Sequence, residues 1–360
     1  MASSRTGWIG VDVGTHAVKL AQLERAGSRF HLRAAMIVPR SESWRTDDLL
    51  RVEPASSAQE IRAGLTLGQR FSGRQAACTL PMQLCDVRTF ADLPRDDAAR
   101  RDTIAGELQT LGLDQNVERE FDYWDAEVPG NDGASVGDRQ HVLSVARAWT
   151  MSVARDVSQA GLRCRLLDGV PLALARAVEM TAPRDAAGPT AVLDWGFASS
   201  TFCLIHRGSP CFVRTLPGCG FRSAVHAVRE AIGISPEEAN TVLRDFGLPS
   251  STHGDSAGAD VQTLIGEVMA DSLRELSDEL ERTFSFVALQ HRGLQLNRLL
   301  LCGGGATVRN VAEWLSHRLK LSVRTWQFSE EAAATSSANG IPSSLLATAI
   351  GLSALAWVNP

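Results

Sequence analysis

The chain carries one short plan twice, far apart. IGVDVGTHAVKL (residues 9–20) and AVLDWGFASSTFCLI (residues 191–205) each read as an apolar strand, Asp-x-Gly, a turn of small residues and a second apolar strand. A repeat at that distance divides 360 residues into two related halves instead of one core. Asp12 corresponds to Asp194, and Gly14 to Gly196. Taken singly, each hairpin has two readings. It is an ordinary bend, or it is a turn whose aspartate holds a metal–phosphate complex while bare N–H groups cradle phosphate oxygens. Two such hairpins, one near the start of each half, would clamp one polyphosphate from both sides.

Around these hairpins strands and helices alternate, which implies an α/β architecture. The pattern predicts strands at 30–38 and 76–80 and a helix at 58–70. A small α+β unit follows, with strands at 85–90, 120–124 and 141–148 and a helix at 95–111. Helices are expected at 150–159 and 171–180, the second opening on Pro171. In the later half, strands are expected at 190–194, 201–206, 211–216 and 298–301. A long helix at 261–292 carries Leu264, Val268, Leu273, Leu276 and Leu280 along one side, and another spans 307–319.

Composition removes several classes. The net charge of −5 offers no basic field for nucleic acid. The start, MASSRTGW, has no apolar core for a secretory signal. Seven cysteines without a CxxC pair read as reduced cytosolic thiols, and Cys203, His206, Cys211 and Cys219 lack zinc-ligand spacing. Residues 341–358 carry no charge but include Pro342 and several hydroxyls, so they read as a buried terminal helix, without a basic flank to anchor a membrane span. Of the 36 basic residues only Lys19 and Lys320 are lysines. A lysine kept inside the first hairpin points to a need for a compact ammonium. Trp195, next to Asp194 on a strand, should face away from the clamp.

The motifs DVGTHAVK (12–19), DWGFASST (194–201) and LCGGGATVRNVAEWL (301–315), in that order, resemble those of the actin-like ATPase superfamily. Within it the chain is similar to the PilM family of type IV pilus assembly proteins. TLPMQLCDVRTFADLP (79–94) looks like the opening of that family's inserted subdomain, and AGLRCRLLDGVPLALARA (160–177) like the return from it. GSPCFVRTLPGCG (208–220), ISPEEAN (234–240), ELERTFSFV (279–287) and ATAIGLSALA extend the likeness over essentially the whole chain.

The resemblance implies a duplicated RNase H-like, actin-like two-domain fold with an inserted small α+β subdomain. The first domain would comprise 1–81 and 160–188, the insert 82–159, the second domain's core 189–220 and 294–360, and a mostly helical subdomain 221–293. It also implies ATP and magnesium as cofactors, with Asp12 and Asp194 organising the ion largely through waters. Gly14, Thr15, Gly196, Ala198 and Ser199 would turn N–H groups to the phosphates, with Ser200 and Thr201 as hydroxyl donors and Lys19 as a phosphate contact. Gly303, Gly304 and Gly305 would admit the adenosine, and Glu279 and Arg282 would edge the ribose or base. GCG at 218–220 departs from the family's more usual glycine pair. No general base stands out, so activity is at most that of a slow Mg-dependent ATPase.

The function implied is a cytoplasmic ATP-binding scaffold of a pilus or secretion machine, with nucleotide biasing the angle between its halves. It would hold the N-terminal cytoplasmic tail of a PilN-like inner-membrane protein and meet other assembly proteins. Self-association stays open, nucleic acid is not a partner, and the membrane is reached only indirectly. One alternative is a metabolite or sugar kinase, for which Asp86 or Asp168 would have to serve as base. Others are an FtsA-like division filament and a nucleotide-free scaffold.

Overall fold

The computed structural model describes residues 5–44, 56–67, 70–110, 117–126, 139–182, 188–250, 258–290, 294–328 and 340–358. They form two units: Met1–Glu179 with His206–Val213 and Thr348–Pro360, and Met180–Ile205 with Arg214–Ala347.

In the first unit β1 (Arg5–Val13), β2 (Ala17–Ala26) and β3 (Arg29–Pro39) form an antiparallel meander. After α1 (Ala58–Leu67), β4 (Gln75–Thr79) joins β1 in parallel. The chain then leaves to make β5 (Cys85–Phe90), α2 (Asp97–Thr110), β6 (Arg119–Asp125) and β7 (Gln140–Ala146). These strands form a separate antiparallel sheet in the order β5-β7-β6. It returns through α3 (Arg147–Gln159) and β8 (Arg163–Asp168), which pairs in parallel with β4, and continues into α4 (Val170–Thr181). The main sheet runs β3-β2-β1-β4-β8.

The second unit repeats this plan. β9 (Thr190–Trp195) and β10 (Ser200–His206) are antiparallel, and β11 (Ser209–Leu216) lies outside β10. Then come α5 (Arg222–Ile232), α6 (Pro236–Asp245) and α7 (Ala259–Gln290), a helical excursion at the place in the order where the first unit has α1. α6 starts on a reciprocal capping box between Ser235 and Glu238, with Pro236 in its first turn. β12 (Arg298–Cys302) pairs in parallel with β9, α8 (Val311–Leu319) follows, and β13 (Ser322–Thr325) pairs in parallel with β12. The order β11-β10-β9-β12-β13 matches that of the first sheet strand for strand. β13 was not foreseen: four residues with one buried apolar side chain, Val323, show no period.

Two expected boundaries are corrected. The insert was drawn to residue 159, but α3 belongs to the main core. Trp149, Val153 and Val157, spaced four apart, pack with Val11, Leu20 and Ile61, whereas the small sheet has its own cluster of Ile104, Leu108 and Val142. The last segment was assigned to the second domain, yet from Thr348 it groups with the first. Its helix α9 (Ala347–Ser353) lies so close to β1 and α4 that a Cβ on Gly10 would fall 1.9 Å from Ala349 O, and one on Gly351 1.9 Å from Ala173 O. Ser353 Oγ accepts from Leu23 N at 2.9 Å and donates to Trp8 O at 2.6 Å. A short helix, α10 (Leu355–Val358), follows. Among the described residues no helix is long and apolar enough to cross a membrane.

The bend between β10 and β11 also groups with the first unit. Trp124 Nε1 donates to Pro210 O at 2.8 Å, and His141 Nε2 lies 2.9 Å from Cys211 O. A carbonyl only accepts, so Nε2 carries the proton and Nδ1 accepts from Thr89 Oγ1 at 2.9 Å.

Candidate functional site

In the first hairpin Asp12 pairs with Lys19 and Val13 with Val18, leaving Gly14, Thr15 and His16 as the bend. Gly14 N donates to Ala17 O at 3.1 Å, and a Cβ on Gly14 would lie 2.7 Å from that oxygen, so only glycine closes the turn this tightly. The turn's carbonyls are held by the segment after β3. Arg40 Nε donates to Gly14 O at 2.9 Å, Trp44 N to Thr15 O at 2.8 Å and Arg40 N to His16 O at 2.9 Å. A trans peptide sets its N–H opposite its C=O. The N–H groups of Thr15, His16 and Ala17 therefore leave the turn on the side away from Arg40 and Trp44.

Arg40 is a buried brace. Its side chain is 1% exposed, it lies 3.7 Å over the Trp44 ring, and it donates to Ser57 Oγ at 2.8 Å with Glu60 3.4 Å away. Burial lowers its pKa to about 10, against the pull of Glu60 and Asp156. Asp12 is buried too. Its Oδ1 accepts from Thr79 Oγ1 at 3.3 Å and its Oδ2 from Lys19 Nζ at 3.1 Å, so the ammonium of Lys19 rests on the carboxylate seven residues before it.

The second hairpin occupies the equivalent place. Asp194 pairs with Thr201 on β10 and Cys302 on β12, as Asp12 pairs with Lys19 on β2 and Thr79 on β4. A Cβ on Gly196 would lie 2.7 Å from Ser199 O, the same contact at the same spacing as in the first turn. Ser199 and Thr201 are buried beside it. Ser200, expected to be a hydroxyl donor to the ligand, is fully buried and donates instead to Cys219 O at 2.6 Å. It braces the 218–220 loop because that carbonyl is its nearest partner.

That loop locks onto the turn. Phe221 N donates to Gly196 O and Arg222 N to Phe197 O, both at 2.9 Å, and a Cβ on Gly220 would lie 2.5 Å from Ala198 O. The departure at GCG thus keeps the glycine that the close approach needs. Cys219 stays a thiol, its pKa raised to about 11 chiefly by burial.

Gly303, Gly304 and Gly305 each have a neighbour within the second unit. A Cβ on Gly303 (φ +82°) would meet Asp194 Oδ1 at 2.4 Å, one on Gly304 would meet the Phe221 ring at 3.1 Å, and one on Gly305 would enter the Trp195 ring. Gly303 thereby brings the end of β12 against the site aspartate. Trp195 is buried, its ring 5.7 Å from that of Phe221. On α7, Glu279 accepts from Arg282 at 2.6 Å and from Arg214 of β11 at 2.8 Å, which holds its carboxyl below the usual range, first through Arg282. Arg214 also donates to Thr283 Oγ1 at 2.7 Å.

The first unit therefore brings together Asp12, Gly14, Thr15 and Lys19. The second brings together Asp194, Gly196, Ser199, Thr201 and Gly303. Sequence reasoning missed Arg40, Thr79, Arg214 and Gly220. Thr79 was legible as the last polar residue of a strand beside the hairpin; an arginine after a strand, in a chain full of arginines, gave no signal. The asparagine-free, carboxylate-poor donor set also bears on magnesium. Among the described residues no group of three or more His, Cys, Asp or Glu is placed to hold a metal. Two single aspartates beside tight glycine turns suit an ion that brings its own waters and phosphate oxygens. As for a kinase base, Asp168 is ion-paired with Arg176 and accepts from Gly169 N at 2.9 Å, and Asp86 pairs with Arg88.

Two sheets of one topology, each opening on an aspartate hairpin, define an actin-like two-domain fold. The solved structures agree. The chain is similar over its whole length to PilM in a PilM–PilN type IV pilus biogenesis complex, with TM-score 0.78 and 21% identity, covering 98% of this chain and 99% of that one. It is also similar to the ethanolamine utilization protein EutJ from Carboxydothermus hydrogenoformans, with TM-score 0.55 and 16% identity over 97% and 89%. A third likeness is to MamK in a double helical filament, with TM-score 0.50 and 12% identity over 98% and 99%. No protein-family model and no curated protein sequence matches.

Proposed function

We propose that this chain is an ATP-binding scaffold of a type IV pilus or related secretion machine. In this reading it holds the cytoplasmic tail of a PilN-like inner-membrane protein at the inner face of that membrane. The observation that carries the nucleotide part is the matched pair of turns: Gly14 on Ala17 O and Gly196 on Ser199 O, at one distance, each beside a strand-end aspartate. The whole-chain likeness to PilM carries the partner. Thr15 and Ser199 would present N–H groups to the phosphates of one nucleotide, and Lys19 would move from Asp12 to a phosphate oxygen. Magnesium, when bound, supplies countercharge to those phosphates, with Asp12 and Asp194 touching its waters. Occupancy would bias the angle between the two units, and ATP would act as a conformational ligand. Hydrolysis is at most slow, because the site offers no evident base.

The test is a calorimetric titration of MgATP into the full chain and into Asp194→Ala, with folding of both checked by circular dichroism. Saturable binding that is lost in the variant supports the reading. No binding to the wild type removes ATP from it and leaves the scaffold role to be tested with the partner's tail peptide.

A further inference from the structure

At the end of the first sheet opposite the Asp12 turn, every strand has an arginine at its last residue or next to it. Arg29 opens β3, Arg25 nears the end of β2, Arg5 opens β1, Arg74 precedes β4 and Arg163 opens β8. The registers set them side by side: Arg5 is directly across from Arg25, Arg29 is paired one step further out, and Arg163 pairs with Gln75. Four of the five are exposed and Arg25 is half-buried. Among the described residues none of them lies in an ion pair, and the nearby Glu24 is taken by Arg33 at 3.2 Å. Like charges directly opposite on adjacent strands oppose folding. A chain of net charge −5 nevertheless gathers five of them in one row.

Two of the row, Arg5 and Arg74, line a cavity of about 360 Å³ together with Thr6, Ser72, Trp8 and Trp357. Trp357 stacks edge-on against Phe30 at 5.1 Å, and Val358 beside it is 59% exposed. Two tryptophans and an exposed valine set among arginines that, among the described residues, have no ion-pair partner form the composition of a surface that rests on lipid headgroups. Ala356 and Trp357 of the uncharged segment 341–358 lie beside Arg5 and Arg74 in this cavity.

We propose that this end of the first unit docks directly on an anionic phospholipid surface, with a lipid phosphate seated between Arg5 and Arg74. This adds a direct contact to the indirect membrane association implied above, and it stands independently of nucleotide binding.

The experiment is flotation of the full chain with phosphatidylcholine vesicles and with mixed phosphatidylcholine–phosphatidylglycerol vesicles over a range of salt. Binding is expected to the anionic vesicles alone and to weaken as salt rises. Each arginine at such a surface is worth about fivefold in affinity, so Arg5→Gln combined with Arg74→Gln should weaken binding about 25-fold. Arg274→Gln, on α7, should leave it unchanged. If the first pair disturbs folding, Arg29→Gln combined with Arg163→Gln tests the same row. Equal binding to neutral vesicles, no binding to anionic ones, or no effect of either pair overturns the proposal. Tighter binding to duplex DNA than to vesicles in the same buffer also overturns it.

Discussion

Arg40 supplies the sharpest test of how the first turn is built, because the conservative replacement should be the worse one. Its guanidinium makes two donated bonds, to Gly14 O and Ser57 Oγ, and stacks on Trp44. Bonds from a charged donor are worth about 1.5–3 kcal/mol each. Against them stands burial, which lowers the pKa from 12.5 to about 10, a cost of about 3 kcal/mol for keeping the charge there. Arg40→Met loses the bonds but recovers most of that cost, for a net loss of about 1–2 kcal/mol. Arg40→Lys keeps a charge in the same dry place, loses the planar fork and the stack, and should cost about 3–5 kcal/mol. With a urea slope of about 2 kcal/mol/M, the midpoints should fall by about 0.5–1 M for methionine and about 2 M for lysine. Urea unfolding of both variants, followed by circular dichroism, decides it. A lysine variant as stable as the wild type, or more stable than the methionine variant, would refute the claim that a buried fork holds the turn.

Gly14→Ala and Gly196→Ala should weaken MgATP binding to a similar degree, about tenfold or more, because each methyl would meet a carbonyl at 2.7 Å; unequal losses in calorimetry would break the equivalence of the turns. Gly303→Ala forces a left-handed residue against Asp194 Oδ1, and should lower stability by at least about 1–2 kcal/mol in thermal unfolding. Burial holds the pKa of His141 below its ordinary 6.5, so the unfolded chain binds the proton more readily. Its contribution to stability is therefore constant above that value and is lost as pH falls through it toward the folded pKa. Urea midpoints measured at about pH 7 and about pH 5.5 should differ less in His141→Gln than in the wild type; an unchanged difference contradicts the assignment of a neutral ring between Thr89 and Cys211 O.

Much of the architecture was legible because its signals are local. β5 falls on the expected residues, and the second hairpin has its bend at the expected place. Both follow from short apolar runs that stop at turn residues, a pattern that acts over a few positions. The inserted sheet was legible for the same reason, whereas its C-terminal limit was not. α3 is amphipathic in either assignment, and only the position of the Ile61 and Leu20 surface decides where its stripe is buried. The site divides similarly. Asp12 and Asp194 stand out by their Asp-x-Gly context, while Ser200 could not be distinguished from Ser199 without knowing where Cys219 O lies.

By itself, then, the sequence determined two strand–turn–strand units with their aspartates and closing glycines, since strand period, turn chemistry and glycine's missing Cβ are properties of adjacent residues. Tertiary structure alone decided which partner each polar group takes and which sheet each helix covers. Lys19 rests on Asp12, Arg40 holds Gly14 from behind, and Ser353 bonds Leu23 across 330 residues. Such pairings depend on where distant segments arrive, and no local propensity carries that information.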